Sequence, residues 1–188
     1  MIESTARLFG PIRQIAYIVD DVDASMQAWH RQMGVAPFVV IRRCNPFADM
    51  TYRGKPCAGV EMSIALSMIG PVQLEFIQQH CRTPSIYREA LARNHTGLHH
   101  YAFYNKDFDS LYRHALANGM EAVVTSGPPG MLGMAYVESP TIPGLICELV
   151  RSNDLTEGMF DRIASHCAAW DGGHWLLEAD LNFLFGQT

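Results

Sequence analysis

The sequence predicts an α+β protein built from two tandem βαβββ modules and a helical C-terminal extension. The first module covers residues 11–79 and the second covers 97–151, with a linker that contains a short helix at 80–96 and the extension at 152–188. Two observations lead to this prediction. The element order β-α-β-β-β occurs twice, and three short stretches of the two copies align, the first two of them in one ungapped register. Because each copy is one supersecondary unit, the repeat indicates the fold class before any single element does.

The repeat is visible in three short stretches that occupy equivalent places in the two modules. The aligned pairs are QIAYI at 14–18 with HYAFY at 100–104, DVDA at 21–24 with DFDS at 107–110, and LEF at 74–76 with CEL at 147–149. The first and last pairs lie in predicted strands, and the second begins a predicted helix. The shared element order therefore favours a duplication over chance agreement.

Apolar periodicity and turn residues predict the elements of the first module. Residues 12–20 are rich in β-branched side chains and predict a strand. The apolar residues of the following helix recur on one face: Val22, Met26, Trp29 and Met33. Asp21 or Asp23 can cap the start of this helix, and Gly34 can end it. Further strands are predicted at 37–43, 60–69 and 71–78. Residues 44–59 hold Pro, Gly and Asn and are expected to form an irregular or mobile loop.

The linker and the second module repeat these signals. Ser85 is placed to cap a short helix in the linker. A strand at 98–105 precedes a helix that ends near Gly119. The apolar face of that helix consists of Phe108, Leu111, Tyr112, Ala115 and Leu116. Three more strands are predicted near 121–125, 133–138 and 145–151.

The extension begins after the repeat is exhausted. Asn153 or Asp154 can start a helix whose apolar face holds Leu155, Met159, Ile163, Cys167 and Trp170. The last fifteen residues are apolar for a chain terminus. We expect them to pack on another surface, with a second subunit as one candidate.

Composition and charge exclude several classes of protein. Of the 188 residues, 48% are hydrophobic and 18% are charged, which is inconsistent with wholesale disorder. The net charge of -5, with Arg42–Arg43 as the densest basic stretch, argues against nucleic-acid binding. No stretch has the roughly 20 apolar residues that span a bilayer, and the N-terminus lacks the pattern of a signal peptide. The five cysteines form no CxxC pair, which is typical of reduced thiols. A cytoplasmic protein without membrane partners is expected.

The repeat also brings polar residues into equivalent positions. Gln14 and His100 stand at the start of each module's first strand, and Glu75 and Glu148 stand in each module's last strand between apolar neighbours. Buried carboxylates are usually paired or bound to metal. If a pseudo-twofold axis relates the modules, one imidazole, one amide and two carboxylates meet. That set suits one divalent ion such as Zn, Ni, Co, Mn or Fe(II).

These motifs resemble the glyoxalase / bleomycin-resistance / extradiol-dioxygenase superfamily, which has the vicinal oxygen chelate fold, over residues 11–151. The motifs are Gln14 before IAYIV, Glu75 in LEF, GLHHYAF with His100, and GLICEL with Glu148. The resemblance implies that these four residues bind the metal, and that the protein is a homodimer in which the metal site lies within one chain or is shared between chains.

Within this resemblance, the set Gln, Glu, His, Glu is similar to that of glyoxalase I, whereas GLHHYAFYNKDFDSLYRHALANG looks more like methylmalonyl-CoA epimerase. Both imply a lyase, isomerase or epimerase that stabilises the enolate of a carbonyl or thioester substrate. Glu148 is then the first choice for the catalytic base, with Glu75 as a second catalytic residue on the opposite side. Extradiol dioxygenases use two His and one carboxylate for Fe(II), so Gln14 disfavours an Fe(II) ring-cleaving enzyme.

Some alternatives remain open from the sequence. The same fold serves metal-free drug-binding proteins, which have no need of two buried carboxylates. His99 and His100 are adjacent on a strand, so alternation predicts opposite faces and only one imidazole in the site. Glu75 would face solvent if Gln73 or Gln78 were the inward polar residue. Glutathione or CoA recognition requires cations, for which the candidates are Arg13, Arg42, Arg43, Arg53 and Lys55.

Overall fold

The computed structural model describes residues 6–46, 49–57, 59–93, 95–127 and 131–186, with side chains from Leu8 onward. The strands are β1 (Gln14–Ile18), β2 (Phe38–Cys44), β3 (Met50–Tyr52), β4 (Lys55–Pro56), β5 (Met62–Ile69), β6 (Val72–Gln79), β7 (Gly97–Asn105), β8 (Glu121–Ser126), β9 (Met134–Glu138), β10 (Ile146–Arg151) and β11 (Leu176–Ala179). The helices are α1 (Ala6–Phe9), α2 (Val22–Met33), α3 (Ile86–Ala92), α4 (Phe108–Ala117), α5 (Asp154–Ala168) and α6 (Leu181–Phe185).

Local capping explains where the helices begin and end. The side chain of Asp21 accepts a hydrogen bond from the backbone N–H of Ala24 at 2.9 Å, and Gly34 closes α2 in a left-handed conformation with φ of 68°. Ser85 and Asn153 cap α3 and α5 as predicted. Within the described ranges, no helix is both long and apolar enough to cross a bilayer.

The eleven strands form one sheet in the order β11-β2-β5-β6-β1-β7-β10-β9-β8-β3-β4. In each module the first strand pairs in parallel with the last one, β1 with β6 and β7 with β10. Beyond each last strand lie the third and then the second strand of the same module, β5 and β2 in one half and β9 and β8 in the other. The two halves join where β1 pairs antiparallel with β7. This symmetry confirms the predicted α+β fold of two βαβββ modules.

The two faces of the sheet bury different groups of residues. On one face, Val22 and Met26 of α2 pack with Phe38 and Phe76, and α4 packs over the other half in the equivalent way. Side chains alternate along β6, so Ile77 points to the opposite face and joins the largest apolar cluster. That cluster includes residues of α3, α5 and α6, and this second face holds the candidate site.

The prediction of an irregular loop over residues 44–59 is wrong in part. Residues 50–56 contain the hairpin β3–β4, and β3 extends the sheet by pairing antiparallel with β8. Met50 is buried, and the hydroxyl of Tyr52 donates a hydrogen bond to Glu89 of α3 at 2.5 Å. Local composition could not predict these strands, because their partners come from the second module and the linker. The earlier expectations for residues 47, 48 and 58 lie outside the described residues.

The C-terminal extension folds onto its own chain. After α5, strand β11 pairs in parallel with β2, and α6 buries Leu184 against the largest apolar cluster. The ring of Trp175 stacks on His30 of α2 with centroids 4.8 Å apart. The apolar tail therefore has its packing surface within the same chain, and a second subunit is not required to cover it.

Candidate active site

Strand register brings the predicted residues onto one face of the sheet. Glu75 of β6 lies opposite Ala16 of β1, which in turn lies opposite His100 of β7. Cross-strand partners point to the same face, so Glu75 and His100 face the same side, with the methyl group of Ala16 between them. Glu75 lies on the cavity side and does not face solvent.

The next row of the sheet carries the other two predicted residues. Gln73, Gln14, Ala102 and Glu148 are successive cross-strand partners along β6, β1, β7 and β10. The amide nitrogen of Gln14 donates a hydrogen bond of 2.7 Å to Oε1 of Gln73. Gln14 therefore shares the face with Glu148, but its hydrogen bond goes to a neighbouring amide and not to the carboxylates or the imidazole.

His100 and the two glutamates form a close cluster. His100 is fully buried, and its Nε2 lies 3.8 Å from Oε2 of Glu75 and 3.6 Å from Oε2 of Glu148. Both distances are too long for a hydrogen bond, and this nitrogen has no hydrogen-bond partner among the described residues. A buried ring nitrogen without a partner is costly, and such a position is typical of a functional site.

The surroundings of Glu75 disfavour its ionised form. Burial raises the pKa of Glu75 well above its ordinary value, and the nearby charge of Glu148 raises it further. Two carboxylates so close to one imidazole are stabilised by a proton or a cation between them.

The second histidine does not follow simple strand alternation, so the prediction that His99 and His100 occupy opposite faces is wrong. The register between β1 and β7 shifts between Ala16 and Tyr17, which leaves His99 as an extra residue in β7. The bulge brings Nδ1 of His99 within 2.9 Å of Nδ1 of His100. The contact with His99 holds the His100 ring at Nδ1. The other ring nitrogen, Nε2, is then directed towards Glu75 and Glu148.

Three tyrosines surround this cluster, and the sequence did not single them out. Tyr87 of α3, Tyr104 of β7 and Tyr136 of β9 all line the same cavity. The hydroxyl groups of Tyr87 and Tyr136 lie 3.1 Å apart, and the ring of Tyr136 packs edge-on against His100 at 4.9 Å. Tyr136 could have been found from its register, because it lies opposite Glu148. Tyr87 comes from the linker, and no repeat signal marks it.

The sequence matches one family model, described as the Glyoxalase/Bleomycin resistance protein/Dioxygenase superfamily, over residues 13–137. The chain belongs to this superfamily. The match includes three of the four predicted site residues, and Glu148 lies beyond its end. No curated protein shows significant sequence similarity to the chain.

Solved structures with the same superfamily architecture are similar to the chain over about three quarters of its length. A hypothetical protein from Bacillus halodurans matches with a TM-score of 0.55 and 15% identity, covering 77% of this chain and 95% of that one. Methylmalonyl-CoA epimerase from Mycobacterium tuberculosis matches with a TM-score of 0.51 and 15% identity, covering 78% and 91%. A methylmalonyl-CoA epimerase in complex with methylmalonyl-CoA and NH4+ has a TM-score of 0.50 and 20% identity, covering 76% and 94%. At these identities the likeness supports the superfamily fold alone.

In this member of the superfamily, the candidate site opens into a cavity of about 470 Å³. Its polar lining includes Gln14, Gln73, Glu75 and Glu148 on the sheet and Arg151, Asn153 and Thr156 where β10 leads into α5. Most other lining residues are apolar. Of the five basic residues that the sequence offered for a charged substrate, none is among the described residues that line the cavity. Arg42 pairs with Asp23 and Glu178, Arg43 with Glu61, and Arg53 with Glu89 and Glu138.

Proposed function

We propose that the protein is a metal-dependent lyase, isomerase or epimerase that stabilises the enolate of a carbonyl or thioester substrate. The observation that carries this proposal is the unpartnered Nε2 of His100 beside the carboxylates of Glu75 and Glu148. His100 and Glu148 are buried and the side chain of Glu75 is only 12% exposed. Nothing in a purely structural role requires two carboxylates at this point.

The donor set fits a divalent metal ion. His100, Glu75 and Glu148 supply one nitrogen and two carboxylates, and the Gln14 amide, whose nitrogen is used by Gln73, has its oxygen left as a fourth ligand. As they stand, no three His, Cys, Asp or Glu side chains in the described part of the chain are close enough to hold an ion. Ligand atoms at about 2.0–2.2 Å from one ion lie about 3.0–3.6 Å apart. The separations of 3.6 and 3.8 Å between Nε2 of His100 and the two carboxylates are slightly longer, so ion binding would require these carboxylates to move towards His100.

A Zn, Ni, Co, Mn or Fe ion held there would act as a Lewis acid towards a substrate carbonyl and lower the pKa of the adjacent C–H. The protein's own task is then to move the proton. Glu148 is the proposed base, because its carboxylate lines the cavity and lies 3.6 Å from Nε2 of His100. Glu75 and Glu148 approach His100 from strands on opposite sides of β7. In an epimerisation, the two carboxylates could therefore serve opposite faces of the enolate.

A second candidate is a metal-free binding protein for an apolar small molecule. The size and mostly apolar lining of the cavity favour it, since ligand pockets of this kind hold drug-sized molecules. It leaves the two buried carboxylates unexplained. An Fe(II) ring-cleaving enzyme is disfavoured further, because the place of a second histidine ligand is taken by Gln14.

Metal analysis separates these candidates. The protein is purified without chelators, and the bound metal is measured together with the Glu148→Ala variant. We expect about one divalent ion per site in the wild-type protein and a large loss in the variant. Hydrogen–deuterium exchange at the C–H next to the carbonyl, followed by NMR with 2-oxo compounds and acyl thioesters in heavy water, then tests enolate formation. A wild-type protein that binds no divalent ion would overturn the proposal in favour of a binding protein.

We also propose that the protein is a cytoplasmic homodimer. All five cysteines are free thiols, which suits a reducing compartment. Light scattering coupled to gel filtration tests the dimer, and a mass of one chain across micromolar concentrations would contradict it.

A further inference from the structure

The extension builds one wall of the candidate site. Leu155, Met159 and Ile163 of α5 and Leu181 and Leu184 of α6 line the cavity. The wall is fixed at several points. The Arg13 guanidinium, next to Gln14 in sequence, forms an ion pair with Glu157 of α5 at 3.0 Å and lies over the ring of Phe160 at 4.0 Å.

The two helices of this wall are also joined to each other and to the far edge of the sheet. Arg162 of α5 donates hydrogen bonds to the carbonyls of Gly158 and of Leu184 in α6. Strand β11, between the helices, pairs with β2. The wall is therefore part of the folded chain and encloses the site from the side opposite the sheet.

The cavity is lined mainly by apolar side chains, and its two carboxylates lie together beside His100. Across from the extension, the sheet presents Met62, Ile64, Leu66, Met134 and Val150. Glu75 and Glu148 are the only carboxylates among the described lining residues, while Arg151, Asn153 and Thr156 add polar groups where β10 leads into α5. A ligand that matches this distribution has its oxygen atoms at one end and a hydrocarbon body that fills the remainder.

The cationic side chains near the cavity are already neutralised. Arg151 is the one Arg or Lys among the described lining residues. Its guanidinium forms two hydrogen bonds to Asp109, at 3.1 and 2.7 Å, and a third to the carbonyl of Leu132. Arg13 is paired with Glu157 through a single hydrogen bond at 3.0 Å, and its guanidinium lies over the ring of Phe160. Phosphate and carboxylate groups of a carrier are recognised by free guanidinium or ammonium groups, and neither arginine offers one.

We infer that the extension makes this a site for an uncharged or singly charged carbonyl compound with an aliphatic or aromatic body, and not for a substrate joined to CoA or glutathione. This inference rests on the proposed function for the role of the polar end and narrows its substrate class. This inference is supported by the apolar lining that α5 and α6 contribute and by the ion pairs of Arg13 and Arg151.

The test uses two probes with the same polar head, acetohydroxamic acid and octanohydroxamic acid. Their binding to the full-length protein is measured by calorimetry, with and without added Zn or Mn. Each buried CH₂ strengthens binding several-fold, so we expect the octanoyl probe to bind at least about 100-fold more tightly than the acetyl probe. Free CoA and glutathione at millimolar concentration should not displace it.

Two variants locate the effect in the wall. Leu155→Asp changes an exposed residue at the rim, and Met159→Asp changes one further along the same helix. Both should reduce the preference for the octanoyl probe at least about 10-fold. Ser165→Asp adds the same charge to an exposed position of α5 outside the cavity and should leave the preference unchanged. Circular dichroism identifies any variant that does not fold, and Leu155→Asp alone then suffices because its side chain is already exposed.

The outcomes distinguish this inference from the proposed function. If no metal binds but the metal-free protein still prefers the octanoyl probe, the proposed function fails and the inference about the apolar body stands. If metal binds but the two probes bind equally, or if CoA or glutathione displaces the octanoyl probe, the inference is overturned and the enolate chemistry is untouched.

Discussion

The two modules place different polar residues at the same point of the same backbone frame. In the first module the amide of Gln14 is held by Gln73 of its own module's last strand. In the second, His100 is held by its neighbour His99, which a bulge turns towards it. The duplication thus supplies the position, while the side chain and its partner decide the chemistry. We expect the second module to contribute more of the metal affinity, because an imidazole is a stronger ligand than a neutral amide.

The largest difference between the modules is expected when the imidazole of His100 is removed. His100→Ala deletes the only nitrogen ligand of the proposed set and should reduce the affinity for Zn by at least about 100-fold. Competition with a chelator of known affinity measures it. His114→Ala, which removes an exposed histidine of α4, is the matched control. A His100→Ala protein that binds Zn like the wild type would contradict the proposed site.

The equivalent change in the first module should have a smaller effect. Gln14→Ala removes a neutral ligand and leaves the Gln73 amide without its partner, so we expect a loss in Zn affinity of about 10- to 30-fold. Gln27→Ala, an exposed glutamine of α2, is the control. If Gln14→Ala weakens binding more than His100→Ala does, the assignment of the stronger half of the site to the second module is wrong.

The partner of His100 can be tested separately. His99→Phe keeps a ring of similar size beside Tyr87 but removes the nitrogen that contacts His100. Because outer partners orient a ligand, we expect Zn affinity to fall about 10-fold with an unchanged melting temperature. Affinity equal to that of the wild type would mean that the bulge is structural only.

The smallest expected effect concerns the stability of the metal-free protein. Burial and the charge of Glu148 raise the pKa of Glu75, whereas in the unfolded chain it is about 4.3. The folded state therefore holds this proton more tightly. Its contribution to stability is fully present below about pH 4.3 and is lost as the pH rises through the raised pKa.

Glu75→Gln replaces the carboxyl group with an amide that does not ionise, so the variant does not lose this stability as the pH rises. We expect the variant to be about 1 kcal/mol more stable than the wild type at pH 8 without metal, and about equal at pH 4. Urea unfolding at the two pH values, with EDTA present, measures the difference. A variant that is less stable at pH 8 would indicate that the carboxylate of Glu75 is well satisfied in the metal-free protein.

The repeat predicted most of the frame of the site, since equivalent residues of duplicated strands must share a face once the strands pair. That reasoning placed Gln14, Glu75, His100 and Glu148 on one side of the sheet. It failed at His99, because a bulge depends on how two strands fit and not on the residues of one. Tyr87 could not be predicted either, since its position depends on how the linker helix packs across the sheet.

Local signals also could not reveal the hairpin β3–β4 or the course of the C-terminal tail. Both segments find their strand partners far away in sequence, β3 on β8 and β11 on β2. Strands of two to four residues are too short to show a clear alternation pattern, and their pairing depends on tertiary contacts.

The two ends of the sheet limit how copies of the protein can associate. One edge is β4, which consists only of Lys55 and Pro56, and the other is the four-residue β11, which carries Glu178. A lysine, a proline and short length each discourage a neighbouring chain from adding a strand. Without these features, an edge strand of one molecule could pair with an edge strand of the next and lead to aggregation. The two subunits of a dimer would therefore contact each other through side chains of helices or sheet faces. The sheet would not continue from one subunit into the next.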